Sequence, residues 1–223
     1  RLERVGELSK ETVFLDGTKL EACANKYTFV WKKSVGKWEE KMFIKIQEAV
    51  RLVNQEFIQS FRVGTEYRVQ DLRKICRFLE EICRERNIEF VHGRGKRKSI
   101  EQRYLELFQR YLERQITYDW HTASFQGRNN YCKTDPDATF MHMKDDHMRN
   151  AQLKPGYNVQ IGVDSEYIVA VDIFQDRNDV WTLVPFLKRM KEKLGFNYPS
   201  VTADSGYESE EGYSYLREEG QQP

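Results

Sequence analysis

The sequence contains the stretch YNVQIGVDSEYIVAVDIF at residues 157–174. Two runs in which apolar residues occupy every second position lie on either side of Asp164-Ser165-Glu166. This alternation is typical of two antiparallel strands joined by a short turn. The stretch therefore predicts a β-hairpin, and the rest of the fold can be read outward from it.

A helix, a strand and a second helix are predicted after the hairpin. Apolar residues at three- and four-residue spacing mark the first helix, with Asn178 or Asp179 as its N-cap and Gly195 as its stop. A strand is predicted over residues 200–204, and Ser209 opens a last helix that runs through Leu216. Strands that alternate with helices in this way predict an α/β fold.

One strand and a helical block are predicted before the hairpin. Residues 12–16 form a short β-branched and apolar run, which residues 19–22 continue. From Glu39 the period changes to that of helices, and Ser99 with Gln102 has the spacing of a capping box at the third helix. We therefore expect a core in two parts, residues 1–38 and 119–223, with an all-α insertion over residues 39–118.

Charge and composition limit the classes of function. The 36 Lys and Arg against 35 Asp and Glu give a net charge of +1, so any DNA contact must come from local patches. The most basic patch is Arg94, Lys96, Arg97 and Lys98, which is either solvated surface or a set of phosphate contacts. The four cysteines lack disulfide or metal spacing, and no apolar run is long enough to span a membrane. These features predict a cytoplasmic protein with reduced thiols.

Asp16 and Asp204 stand out because each ends a short apolar or β-branched run and is closely followed by glycine. Taken singly, each has the context of a common turn residue. On adjacent strands, about 4.8 Å apart, the two carboxylates would instead surround one cation. Hard divalent ions prefer oxygen ligands of this kind. The residues alone leave both interpretations open.

Four segments resemble, in order and spacing, the DDE transposases of bacterial insertion sequences: FLDGTKLEA at 14–22, KTDPDA at 133–138, KPGYNVQ at 154–160 and TADSGY at 202–207. The resemblance implies an RNase H-like mixed sheet, with the helical insertion after its first strand. It implies that Asp16 and Asp204 are catalytic and bind two Mg²⁺ or Mn²⁺ ions, with Asp135, Asp137 and Tyr207 beside the active site. The third family carboxylate, a Glu on a helix after a fifth strand, is expected to be missing together with that strand, which leaves a sheet edge open.

The function implied by the resemblance is metal-dependent cleavage of DNA at the element's terminal inverted repeats, followed by strand transfer into target DNA. A homodimer in a synaptic complex and association with the bacterial nucleoid are expected. Glu208, Glu210 and Glu211 are interpreted as charges at a helix start, so we expect the fragment alone to be inactive. The alternatives are a truncated, catalytically silent DNA-binding or interaction module derived from a transposase, and another RNase H-like nuclease.

Overall fold

The computed structural model describes residues 3–93, 95–144 and 152–223. The chain divides into two compact units, one formed by Arg1–Phe29 together with Asn130–Pro223 and the other by Val30–Asn129. The chain of the first unit is therefore interrupted by the second. None of the described helices combines the length and the apolar character needed to cross a bilayer.

The regular elements are strands and helices, with three consecutive helices followed by four consecutive strands in the middle of the chain. In chain order they are β1 (Thr12–Glu21), β2 (Phe29–Trp31), α1 (Lys32–Glu56), α2 (Val69–Glu85), α3 (Ile100–Phe125), β3 (Asn130–Cys132), β4 (Thr139–His142), β5 (Leu153–Asp164), β6 (Tyr167–Phe174), α4 (Leu183–Leu194), β7 (Ser200–Thr202) and α5 (Glu210–Glu218). Short 3-10 helices occupy Glu3–Val5, Asp179–Trp181 and Ser205–Tyr207. The predicted strand before the helical block and the predicted hairpin are confirmed as β1, β5 and β6.

The first unit is built on a mixed sheet of five strands, which confirms the predicted α/β class. β5 pairs antiparallel with β4, β6 and β1. β1 also pairs with β7, in parallel, and Phe14 lies opposite Thr202 in this register. Asp16 and Asp204 each come two residues later: Asp16 still lies within β1, opposite Ile161 of β5, whereas Asp204 lies just after β7.

β5 turns its polar side chains towards the interior of the first unit. Asn158, Gln160 and Asp164 are buried, whereas Ile161 and Val163 on the other face are only partly buried. The apolar core of this unit comes from β1, from Phe174 and from the helices beside them, with Val13, Leu15, Phe174, Leu183, Phe186, Leu187, Met190, Tyr198, Val201, Tyr207, Tyr215 and Leu216 as its buried members. One region beneath the sheet is therefore polar rather than apolar.

The expected open edge of the sheet is partly covered, which corrects the sequence-based expectation. Gln222 pairs in parallel with Ser200 on β7. The Val201 N–H donates to the Gln222 carbonyl oxygen over 2.8 Å, and the Gln222 N–H donates to the Pro199 carbonyl oxygen over 2.7 Å. Backbone groups along an exposed strand need partners, and residues directly after α5 supply them.

Helices α1, α2 and α3 of the second unit pack around an apolar core of their own. Cys76 and Cys83 are buried in it and pack as small apolar side chains. The helices run from Lys32 to Phe125 and so extend beyond the predicted 39–118 at both ends. The added turns are largely polar, so apolar periodicity alone does not reveal them.

Two helix starts differ in detail from the predictions. Ser99 is the N-cap of α3 and its side chain accepts from the Gln102 N–H, but the Gln102 amide bonds Val91 instead of completing a capping box. The N-cap of α4 is Thr182, not Asn178 or Asp179. The Asp179 carboxylate accepts side-chain hydrogen bonds from β5 instead of capping a helix.

Candidate active site

Asp16 and Asp204 occupy equivalent positions, each two residues beyond the last paired residue of the parallel strands β1 and β7. The Asp16 side chain is 79% exposed, and its Oδ1 accepts from the Gly17 N–H over 2.7 Å. Asp204 is also exposed, and its Oδ1 accepts from the Gly206 N–H over 2.8 Å. Asp204 therefore holds the turn that follows it, as the turn interpretation predicts. That interpretation is wrong for Asp16, because β1 continues through Glu21. Both carboxylates remain accessible from solvent.

Tyr207 is the residue that both aspartates influence. Its side chain is buried in the core of the first unit, which raises the pKa of its phenol. The negative charges of Asp179, Asp16 and Asp204 raise this pKa further. The phenol thus lies within electrostatic reach of three carboxylates.

A chain of hydrogen bonds extends from Tyr207 beneath the sheet. The Tyr207 hydroxyl donates to Gln160 Oε1. Gln160 Nε2 donates to Asn158 Oδ1 over 2.9 Å and to Asp179 Oδ1 over 3.1 Å. Asn158 Nδ2 also donates to Asp179 Oδ1, over 2.8 Å. Asn158 and Gln160 are almost completely buried, so these bonds satisfy amides that would otherwise be costly to bury.

Gly17 leaves the space that this arrangement needs. A Cβ on Gly17 would lie 2.4 Å from Gln160 Nε2 and 2.9 Å from the Tyr207 hydroxyl oxygen. These separations are shorter than van der Waals contact. The glycine next to Asp16 is therefore required by the close approach of Gln160 and Tyr207, and not by an unusual backbone angle.

Asp179 was not among the site residues predicted from the sequence. The 3-10 helix Asp179–Trp181 brings it next to the turn at Gly206, where a Cβ on Gly206 would lie 3.9 Å from Asp179 Oδ2. The sequence of β5 does indicate that a polar partner is needed, because Asn158 and Gln160 are two polar residues on the same face of the strand. A buried pair of this kind needs polar partners from elsewhere in the fold.

Lys144 is a second residue that sequence reasoning missed. Its Nζ lies 3.3 Å from Asp16 Oδ1, and both side chains are largely exposed. An exposed ion pair of this kind adds little to stability. It does place one positive charge beside the aspartate, in a position suited to an anionic substrate.

A cleft of about 310 Å³ lies next to Asp204. Tyr207, Ser209 and Tyr213 contribute polar groups to its lining, and Leu183 and Leu216 contribute apolar surface. Ser209 also caps α5, because its Oγ accepts from the Gly212 N–H over 2.9 Å. Glu210 and Glu211 lie in the first turn of this helix, which confirms their interpretation as helix-start charges.

The other predicted neighbours of the active site have structural contacts of their own. Tyr157 donates to both carboxylate oxygens of Asp135, over 2.9 and 2.8 Å. Gln175 Nε2 lies 3.5 Å from Asp137 Oδ1. Tyr157 pairs with Leu20, four residues along β1 from Asp16, which corresponds to about 13 Å of strand. Asp135 therefore anchors the turn before β4 to a more distant part of β5.

The predicted basic patch lies between α2 and α3 in the second unit. Lys96 and Arg97 are exposed. Lys98 is half-buried, and its Nζ pairs with Glu106 over 2.6 Å. Arg94 lies outside the described residues. Lys96 and Arg97 are therefore accessible to a ligand, whereas Lys98 forms an ion pair within the unit.

The type of donor at Asp16 and Asp204 suits a hard divalent cation such as Mg²⁺ or Mn²⁺, because both supply carboxylate oxygen. Each carboxylate uses Oδ1 to accept from a nearby backbone N–H, that of Gly17 for Asp16 and that of Gly206 for Asp204. Within residues 3–93, 95–144 and 152–223, no group of three or more His, Cys, Asp or Glu side chains could hold a metal ion together. The two aspartates therefore fit a cation by chemistry and accessibility, as a set of two.

The chain was compared with models of known protein families. Residues 128–223 match the family model described as Transposase DDE domain. This part of the chain is therefore similar to the DDE domain of transposases. The DDE match includes β5, Asp179, Asp204 and Tyr207, whereas Asp16 lies before it. No match was found among curated proteins or among solved structures.

Proposed function

We propose that this protein cleaves DNA at the ends of an insertion sequence and transfers the freed strand into target DNA, in a reaction that requires divalent metal. The observation that carries the proposal is that Asp16, within β1, and Asp204, just after β7, each lie two residues beyond the last paired residues, Phe14 and Thr202, of these neighbouring parallel strands. Both remain accessible, and both act on the buried phenol of Tyr207. The DDE-type match over residues 128–223 supports the same reaction class.

The proposed roles follow from the chemistry of the side chains. Asp16 and Asp204 would hold two Mg²⁺ or Mn²⁺ ions through carboxylate oxygens. When bound, such ions supply activation of the attacking hydroxyl and charge stabilisation at the phosphodiester. Lys144 places a positive charge beside Asp16, where a DNA phosphate would be attracted. Lys96 and Arg97 are proposed to bind phosphates elsewhere on the DNA.

The topology supports an RNase H-like core. β6, β5 and β1 pair antiparallel in succession, and β7 adds to β1 in parallel. The first aspartate then lies on the first core strand and the second follows the fourth, as the family resemblance implies. The helical unit enters the chain after the first of these strands.

The test is strand cleavage by the intact protein as its gene encodes it. Asp16→Ala and Asp204→Ala are each expected to abolish cleavage of a labelled element end in Mg²⁺, while a mobility-shift assay shows unchanged end binding. Asp176→Ala, an exposed carboxylate, is the matched control and should cleave normally. Normal cleavage by either site variant would exclude these aspartates from the reaction.

The second candidate is a catalytically silent DNA-binding module derived from a transposase. The observation that favours it is that the described residues contain no third side chain able to share a metal ion with the two aspartates. The same assay separates the two functions. A wild-type protein that binds element ends but cleaves them in neither Mg²⁺ nor Mn²⁺ would support the silent module.

A further inference from the structure

We propose that Tyr207, Gln160, Asn158 and Asp179 form a positioning network that fixes Asp16 and Asp204 relative to each other for cation binding and strand cleavage. The inference rests on the proposed function of the two aspartates. The four network residues are not themselves expected to bind the metal; they would act by holding the two aspartates in place. The network lies wholly within the first unit.

The network reaches Asp16 through the backbone of β1. Gln160 Nε2 and the Tyr207 hydroxyl both approach Gly17 so closely that a side chain there would collide with them. Gly17 is opposite Gln160 in the pairing of β1 with β5, and Asp16 is the preceding residue. The position of Gln160 therefore limits where the backbone beside Asp16 can lie.

The network reaches Asp204 through the turn that follows it. Tyr207 ends the 3-10 helix whose N-cap is Asp204, and the Tyr207 N–H donates to the Asp204 carbonyl oxygen over 3.2 Å. On the other side of this turn, Asp204 Oδ1 and Asp179 Oδ2 lie 2.8 and 3.9 Å from the same point, the Cβ position of Gly206. The distance between Asp204 Oδ1 and Asp179 Oδ2 is therefore at most the sum of these two values.

The donors of the network converge on one oxygen of Asp179. Asn158 and Gln160 both donate to Oδ1. The amides therefore fix the orientation of a carboxylate whose other oxygen lies on the side of Asp204. Apolar side chains would fill the same space without the desolvation cost of buried amides. The polar arrangement is better explained by positioning than by stability.

Outer partners of metal ligands typically change metal affinity or activity by about 10- to 100-fold when they are altered. The experiment measures the dissociation constant of Mn²⁺ for the full chain by electron paramagnetic resonance of free Mn²⁺, together with the melting temperature. Tyr207→Phe removes one hydroxyl and no charge, and we expect Mn²⁺ to bind about tenfold more weakly with melting little changed. Tyr215→Phe, in another buried tyrosine of the same core, is the control and should bind Mn²⁺ as the wild type does.

A second pair of variants tests the other end of the network. Asp179→Asn is expected to weaken Mn²⁺ binding more than Asp176→Asn, which removes the same charge from an exposed position three residues away. This pair decides the question if Tyr207→Phe does not fold. A folded Tyr207→Phe protein with the wild-type Mn²⁺ affinity would overturn the positioning role.

Asp16→Ala keeps this outcome separate from a failure of the proposed function. If Asp16→Ala loses Mn²⁺ binding while Tyr207→Phe and Asp179→Asn match their controls, the metal site stands and the network does not position it. If Asp16→Ala binds Mn²⁺ like the wild type, the proposed metal site itself is wrong, and the positioning role falls with it.

Discussion

The hydroxyl of Tyr207 donates a hydrogen bond to Oε1 of Gln160, a residue 47 positions earlier in the chain. This bond joins the turn after Asp204 to the middle of β5. Because Gln160 lies opposite Gly17, it also joins that turn to the strand that carries Asp16. The consequences of this contact, and of three other buried polar groups or charged surfaces, can be tested separately.

Gly17→Ala is expected to destabilise the first unit by about 1–3 kcal/mol, the usual cost of overpacking a filled interior. The added methyl group would lie 2.4 Å from Gln160 Nε2, and Gln160 is only 1% exposed and cannot move aside freely. Thermal unfolding followed by circular dichroism measures the effect. Gly36→Ala is the control, because nothing lies within 4 Å of its Cβ position in α1 and it should stabilise by about 0.5–1 kcal/mol. Equal effects of the two substitutions would contradict the close approach.

Asp164 makes the stability of the first unit depend on pH in the acidic range. Its burial acts to raise the pKa, but hydrogen bonds from the Lys10 N–H, the Ser165 and Ser9 hydroxyls and the Ser9 N–H outweigh it and lower the pKa from 3.8 to about 2. The stabilisation from a lowered pKa is complete above about pH 4 and is lost as the pH falls through about 2, and it amounts to roughly 2 kcal/mol.

Asp164→Asn tests this contribution. The variant is expected to be less stable than the wild type at pH 7 and to lose less stability between pH 4 and pH 2. Urea unfolding at a series of pH values gives the difference. Asp176→Asn, which changes an exposed carboxylate, should follow the wild-type profile. Parallel profiles for wild type and Asp164→Asn would show that Asp164 does not supply the acid dependence.

Gln102 holds the segment that leads into the basic patch. Its side chain is buried, with Oε1 accepting from the Val91 N–H over 3.1 Å and Nε2 donating to the Val91 carbonyl oxygen over 2.9 Å. Gln102→Met leaves the Val91 groups without these partners, and we expect a loss of about 1–3 kcal/mol in the second unit. Gln109→Met, at an exposed position of the same helix, should stay within about 0.5 kcal/mol of the wild type.

Lys96 and Arg97 are expected to contribute to DNA affinity as exposed cations. The double variant Lys96→Ala/Arg97→Ala should bind duplex DNA more weakly, and the slope of log affinity against log salt should fall by about 0.9 for each lost phosphate contact. Fluorescence anisotropy over a range of salt concentrations measures both quantities. Arg73→Ala/Lys74→Ala removes the same charge from exposed positions on α2 and should change the slope little. An equal change in both variants would indicate a general effect of net charge.

The fold was predictable wherever local chemistry decides the structure. The period-two runs around Asp164-Ser165-Glu166 give β5 and β6, and Ser99, Ser209 and Gly195 lie at helix ends as expected. In each of these cases the signal and the structure it specifies lie within a few residues. Apolar spacing likewise located all three helices of the second unit, although not their polar first and last turns.

The interior of the candidate site was not predictable in the same way. Alternation in β5 shows that two faces exist but not which one is buried, and the structure buries the face with Asn158 and Gln160. This choice depends on Asp179 and Tyr207, which come from later in the chain. A side chain's partner across the fold leaves no local pattern, so Asp179 was interpreted only as a helix cap.

Gly17, Gln160 and Tyr207 share one small volume, and this has a consequence for how related sequences can differ. A larger residue at position 17 fits only if position 160 or 207 becomes smaller at the same time. The three positions should therefore change together or not at all, and their energetic effects should not add. In a set of homologous sequences this would appear as covariation between a strand, its neighbour and a turn that lie far apart in the chain.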